Sequence, residues 1–162
     1  MYQLAQVNIA RMLTSLDDPL MAYFVAKLDE INALADSSPG FVWRLQTEAG
    51  DATSVRAYED ERILFNMSVW TSPETYANYV YKSAHREVMK MRRQWFERFD
   101  DLYTAIWWVP QGHIPTVAEA RERLEYLRSH GESAFAFTLK TPFPQPHSVA
   151  QEIAPILDEC PV

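Results

Sequence analysis

Residues 83–96, Ser-Ala-His85-Arg-Glu-Val-Met89-Lys-Met-Arg92-Arg-Gln-Trp95-Phe96, hold the densest group of side chains able to do chemistry. Seven residues make nearly two turns of an α-helix, so His85 and Arg92 share a face about 10 Å apart along the axis. Met89 lies between them and Phe96 extends the row. An imidazole titrates near neutral pH and serves as acid or base. A guanidinium holds a carboxylate or phosphate. The spacing supports a catalytic His85 with Arg92 as the partner of an anionic group. It equally fits a solvated basic helix face, and Lys82, Arg86 and Lys90, at four-residue spacing, are assigned to water.

Other candidates are scattered. Asn66, Ser68 and Trp70 alternate along an otherwise apolar stretch and form one face of a strand. They are pocket groups or buried hydrogen-bonding groups within the sheet. Arg44 carries the same ambiguity. Trp95, Trp107 and Trp108 are further candidate walls. His113 stands in a loop bounded by Pro110 and Pro115, a rigid place for a functional group or for a residue that braces the turn. His130 and His147 receive no role. No H-E-x-x-H, paired helical histidine, cysteine cluster, phosphate loop or serine elbow is present, so no metal site or cofactor is assigned. A lone His85 as an axial haem ligand has no second residue in support.

The elements that must position these groups follow from patterning. Tyr2–Ile9 alternates as a strand. Asp17 and Asp18 before Pro19 start an amphipathic helix over 19–35, and Ser37–Gly40 ends it. Strands are expected at 41–46, 54–58 and 63–70. Thr71-Ser72-Pro73-Glu74 caps a helix over 73–81 that bends near Ser83 and resumes over 84–99. A strand with two adjacent tryptophans follows at 103–109. Thr116 caps a helix over 117–130, with Glu119 in the capping-box position and Gly131 as its stop. A last strand is expected at 134–139. The order is β-α-β-β-α-β, then α-β. This is an α+β, ferredoxin-like fold with an extra C-terminal helix and strand. The domain is placed at 1–144 and a Pro-containing tail at 145–162.

Composition narrows the function classes. The 162 residues fit one domain with a substantial core. Fifteen Lys and Arg against 22 Asp and Glu give −7, which disfavours general nucleic-acid binding. Residues 82–98 run against that trend, with six basic side chains against Glu87 and Glu97. Cys160 is the single cysteine, so no intrachain disulfide forms. No apolar run approaches the roughly 20 residues of a membrane span, and no signal peptide is recognised; the expected setting is cytoplasmic, with no membrane partner.

Several strings together resemble the DUF3291 family. They are Ser68-Val-Trp70, Tyr79-Val-Tyr81-Lys-Ser83-Ala-His85, Arg92-Arg93-Gln-Trp95-Phe96, Trp107-Trp108-Val-Pro-Gln-Gly-His113-Ile-Pro115, Leu124-Glu-Tyr-Leu-Arg-Ser-His130-Gly131 and Ala134-Phe135-Ala-Phe137. That family of uncharacterised proteins is similar to the dimeric α+β barrels, which include antibiotic-biosynthesis-type monooxygenases. The resemblance implies a dimeric α+β barrel with a pocket between sheet and helices. In some members of that superfamily a histidine on the helix after the third strand lines the pocket, and His85 holds a comparable place. It implies no particular activity.

Three functions are expected to compete. One is an enzyme acting on a small aromatic or anionic molecule. His85 is its acid or base, Arg92 the anion partner, and Asn66, Ser68, Trp70, Met89, Trp95, Phe96, Trp107, Trp108 and His113 the binding residues. A cofactor-independent oxygenase fits, since it needs a base, a dry pocket and an ionisable substrate. The second is a small-molecule binding protein without turnover. The third is a structural homodimer with a filled pocket. A homodimer is expected in any case, because both strand faces are apolar and one helical layer covers only one. His85 is expected to titrate below its ordinary value of about 6.5, through burial and a nearby Arg92.

Overall fold

A computed structural model describes residues 1–83 and 85–146 of the chain. The Pro-containing tail, with His147 and Cys160, lies outside the described residues from 147 on. Four antiparallel strands form one sheet in the order β2-β3-β1-β4. They are β1 (Tyr2–Arg11), β2 (Phe41–Arg44), β3 (Ile63–Trp70) and β4 (Thr104–Pro110). The helices are α1 (Ala22–Ser37), α2 (Pro73–Lys82), α3 (His85–Lys90) and α4 (Val117–His130). This is the βαββαβ ferredoxin-like arrangement with one added helix.

Local chemistry sets the boundaries. Asp18 accepts a hydrogen bond from the Leu20 N–H and opens a 3-10 turn at Pro19–Met21, which feeds α1. Ser72 accepts from the Thr75 N–H, and the Thr75 hydroxyl answers at the Ser72 N–H, closing a capping box with Pro73 in the first turn. Gly40 turns the chain from α1 into β2 at φ +82°, and a Cβ there would lie 2.4 Å from the Thr75 side chain. Only glycine fits both demands.

The two sheet faces are covered differently. Ala5, Val7 and Ile9 of β1, Phe65, Met67 and Val69 of β3, and Ala105, Trp107 and Val109 of β4 point to one side. Ala120, Leu124 and Leu127 of α4 close over them, each at most 1% exposed. Burying each leucine contributes about 2 kcal/mol. Over the other side, Leu4, Trp70 and Ile106 pack against Tyr76, Ala77 and Val80 of α2, while Met12, Met21 and Trp95 form a separate apolar plug.

With α4 over one face and α1 and α2 over the other, helices lie on both faces of the sheet. Three sequence expectations change. The strand expected at 134–139 is a single bridge, Ile106 with Phe137. Residues 54–58 form no strand. The helix expected over 84–99 stops at Lys90 and gives way to a 3-10 turn at Arg92–Gln94. Its backbone is taken by the end of β1 and the residues just after it: Leu13 N–H donates to the Trp95 carbonyl and Glu97 N–H to the Arg11 carbonyl, both at 2.8 Å. Those long-range bonds replace the helical ones.

Candidate functional site

Between the second face and the helices lies a cavity of about 660 Å³. Its floor is the polar row of the sheet. Register places Gln6 opposite Ser68 and Asn8 opposite both Asn66 and Thr104. Its roof comes from Phe24, Ile31 and Asn32 of α1, His85, Val88 and Met89 of α3, and Arg92, Trp95 and Phe96 beyond it. Strands alternate, so the residues that make this floor polar are the immediate neighbours of those that make the opposite face dry.

Part of the floor is a closed network. Gln6 Nε2 donates to Ser68 Oγ at 2.7 Å and to Asn66 Oδ1 at 3.3 Å. Trp70 Nε1 donates to the same Ser68 Oγ at 2.8 Å, and the Tyr76 hydroxyl donates to Gln6 Oε1 at 3.3 Å. Gln6 and Ser68 are 2% and 6% exposed, a burial that this pairing makes tolerable.

His85 sits over this floor, partly buried, its ring 4.8 Å from that of Tyr79. Tyr79 in turn stacks on Trp70 at 5.0 Å. The His85 backbone N–H is held by Ser83 Oγ at 3.2 Å. Its Nδ1 faces the Val80 carbonyl at 3.5 Å. A carbonyl only accepts, so the proton belongs on Nδ1 and Nε2 is the basic nitrogen. Burial pushes the imidazole below its ordinary value, against a smaller opposing pull from Val80. The direction is the expected one and the cause is burial alone. Arg92 lies instead over the Tyr103 ring at 4.2 Å. No carboxylate among the described residues pairs with it. By contrast Arg44, also on the lining, is tied to Asp36 at 2.7 Å and to the Gly50 carbonyl.

His85, Arg92, Asn66, Ser68, Trp70, Met89, Trp95 and Phe96 all line this one cavity. Trp107, Trp108 and His113 do not. Trp107 is in the dry core under α4. Trp108 donates its Nε1–H to the Phe143 carbonyl at 2.9 Å. His113 Nε2 meets Glu119 Oε2 at 2.7 Å, and Trp107 Nε1 donates to Glu119 Oε1 at 3.0 Å. His113 therefore braces the loop onto α4. Sequence reasoning passed over Gln6, Asn8 and Asn32. Their signal was there: Gln6 and Asn8 share a strand face, and each is a polar residue where strands favour apolar ones.

Among the described residues, no group of three His, Cys, Asp or Glu could hold a metal, and no helix is long and apolar enough to cross a membrane. The geometry defines a ferredoxin-like α+β chain with a mostly apolar cavity, polar along its floor, between sheet and helices. The chain belongs to the DUF3291 family, described as a domain of unknown function, whose pattern matches residues 3–153. A comparison with curated proteins gives no match. Among solved structures, one from Chloroflexus aurantiacus J-10-fl, provisionally named an antibiotic biosynthesis monooxygenase, is 18% identical with a TM-score of 0.42. The likeness covers 70% of this chain and 97% of that chain.

Proposed function

We propose that this chain binds a small organic molecule with an aromatic body in the cavity, and that His85 acts on it as a neutral base. The observation that carries the reading is the 660 Å³ cavity that gathers His85, Arg92 and the polar floor under aromatic walls. A partly buried imidazole kept unprotonated at neutral pH is the form a general base needs. His85 Nε2 takes a proton from an acidic O–H or C–H of the ligand, leaving imidazolium and a ligand anion. Arg92, which pairs with no carboxylate among the described residues, is the cation for an anionic substituent. A cofactor-independent oxygenase is the finer form of this reading, since deprotonation of the substrate is where such chemistry begins. Consumption of dioxygen on turnover tests it.

His85→Gln tests the base. The variant keeps a hydrogen-bonding side chain of similar length but takes up no proton near neutral pH. The expected result is a loss of turnover of at least 100-fold with ligand binding kept within a few-fold. Unchanged turnover removes His85 from catalysis. A second reading, binding without turnover, draws on the absence, among the described residues, of any carboxylate hydrogen-bonded to His85. Retained ligand with no conversion in the wild-type protein supports it.

The homodimer belongs to the proposal as an assembly through surfaces other than the α4-covered face. Sedimentation velocity at micromolar concentration supports it with a species of twice the 18.8 kDa chain mass, and a species of one chain mass removes it. A cytoplasmic setting completes the reading, and cell fractionation tests it.

A further inference from the structure

Three carboxamides of the cavity lining are not used up by the protein. Asn8 on β1 and Asn32 on α1 make no side-chain hydrogen bond to any described residue, and Asn66 engages only its Oδ1, through Gln6. Gln6, Ser68, Trp70 and Tyr76, one step further along the same face, satisfy one another. The contrast matters because asparagine is among the poorest residues for a strand interior. Asn8 and Asn66 stand directly opposite each other on the two central strands. Opposed residues on one sheet face have Cβ atoms about 5 Å apart, so the two amide groups can contact a single small molecule. Asn66 is solvent-exposed and Asn8 half-buried, so water satisfies these amides, and a ligand that displaces that water must replace its hydrogen bonds.

The donor count gives the partner's chemistry. Asn66 offers its N–H groups and the remaining lone pair of its Oδ1, which accepts one long bond from Gln6 at 3.3 Å. Asn8 offers an adjacent carbonyl and N–H pair and is complementary to an adjacent donor and acceptor. Neither offers charge. We infer that Asn8 and Asn66 read an uncharged, planar amide-type edge, a lactam or cyclic imide with N–H beside C=O, on a ligand whose aromatic body lies against Phe24 and Phe96. This deepens the proposed function by naming the ligand's chemical class, and rests on the cavity being the ligand site. It does not rest on His85 being a base.

The test uses matched probes on the full chain. 2-Quinolone presents the lactam edge, N-methyl-2-quinolone removes its N–H, and naphthalene keeps only the aromatic body. Binding is read from the side-chain NH2 resonances of Asn8 and Asn66 in a 15N-labelled sample. The expected result is 2-quinolone binding that shifts both resonances and is about tenfold tighter than that of the N-methyl compound, the effect of one well-made hydrogen bond in a pocket. Asn8→Val and Asn66→Val should each abolish that tenfold preference. Asn8→Val should leave the melting temperature unchanged or raised, since valine suits a strand better, and a structural role for Asn8 would lower it. His85→Gln should leave the preference intact. Equal binding of the two quinolones, or a preference that survives both valine variants, overturns the inference. Binding of naphthalene alone overturns it while leaving a small-molecule cavity. Binding of none of the three at millimolar concentration overturns it together with the reading beneath it.

Discussion

On the α4 side of the sheet, Val7, Met67 and Ala105 sit in an apolar layer at most 1% exposed. One residue along each of the same strands, Asn8, Asn66 and Thr104 line a hollow on the opposite side. The backbone, the register and the strand partners are shared, so only side-chain type and the covering layer separate a dry core from a site. α4 delivers leucines at helical spacing and fills its face. α1 and the α3 region deliver apolar residues at the two ends and leave the middle open over amide groups. One face is packed throughout, while the other is packed at its two ends and hollow between them.

Substitutions can break that division. The largest expected effect is Leu124→Ala, which empties a fully buried position under α4. It should cost about 3 kcal/mol in urea unfolding and leave ligand affinity in the folded fraction unchanged. An affinity loss of tenfold would show that the two faces are coupled. Next is Glu119→Gln, expected to cost about 1–2 kcal/mol by weakening the bonds to His113 and Trp107. Burial raises the Glu119 carboxyl, but hydrogen bonds from His113 and Trp107 outweigh it and hold it below the ordinary value. The unfolded chain then protonates first, near its usual value of about 4.3, so the contribution is complete above that pH and is lost as pH falls through the folded value. Denaturant midpoints between about pH 6 and 3 should fall less steeply in Glu119→Gln than in the wild type.

His85 sharpens the comparison from the other face with a smaller effect. Its folded value is also depressed, by burial, so the unfolded chain takes up its proton first, near about 6.5. The stability that the neutral ring contributes is present above that pH and declines as pH drops through the folded value. His85→Gln should flatten the stability profile between about pH 7 and 5, with no change near pH 8. An unaltered profile would place the ring in bulk-like solvent and remove the enclosed-base argument.

Much of the architecture was legible in the sequence. The alternation of Ile63–Trp70 gave β3 its limits, and the polar triplet of caps around Ser72 gave α2 its start. Asn66 and Ser68 stood out as polar residues in an apolar strand, and both reached the cavity. Gln6 and Asn8 carried a similar signal on β1 and were missed because a single strand does not reveal which face is left open. Adjacent Trp107 and Trp108 point to opposite faces, so at most one could have entered the pocket; the second is claimed by the Phe143 carbonyl. For His113 the sequence left open a functional group or a brace of the turn, and its contact with Glu119 makes the brace. Glu119 sits at the capping position, but its carboxylate goes to two side chains while Thr116 caps alone. The end of α3 was hidden for a different reason: the helical period persists to Phe99, and only the end of β1 and the residues just after it, which claim the backbone of Trp95 and Glu97, end it.

The single bridge between Ile106 and Phe137 has a consequence for the company this protein keeps. An outer strand offers unpaired backbone groups on which another chain can template itself, and unchecked templating leads to aggregates. β4 is the long outer strand here, seven residues from Thr104 to Pro110. Phe137 takes both backbone groups of Ile106 near its centre, at 2.8 and 2.9 Å, and Pro110 at its end has no N–H to give. The other outer strand, β2, is only four residues long and ends in a charged arginine. One residue contributed by the segment after α4 therefore works as a gatekeeper. Phe137→Pro, which lacks the N–H that pairs with Ile106, should turn a well-behaved solution into one that gains thioflavin-positive material on gentle warming.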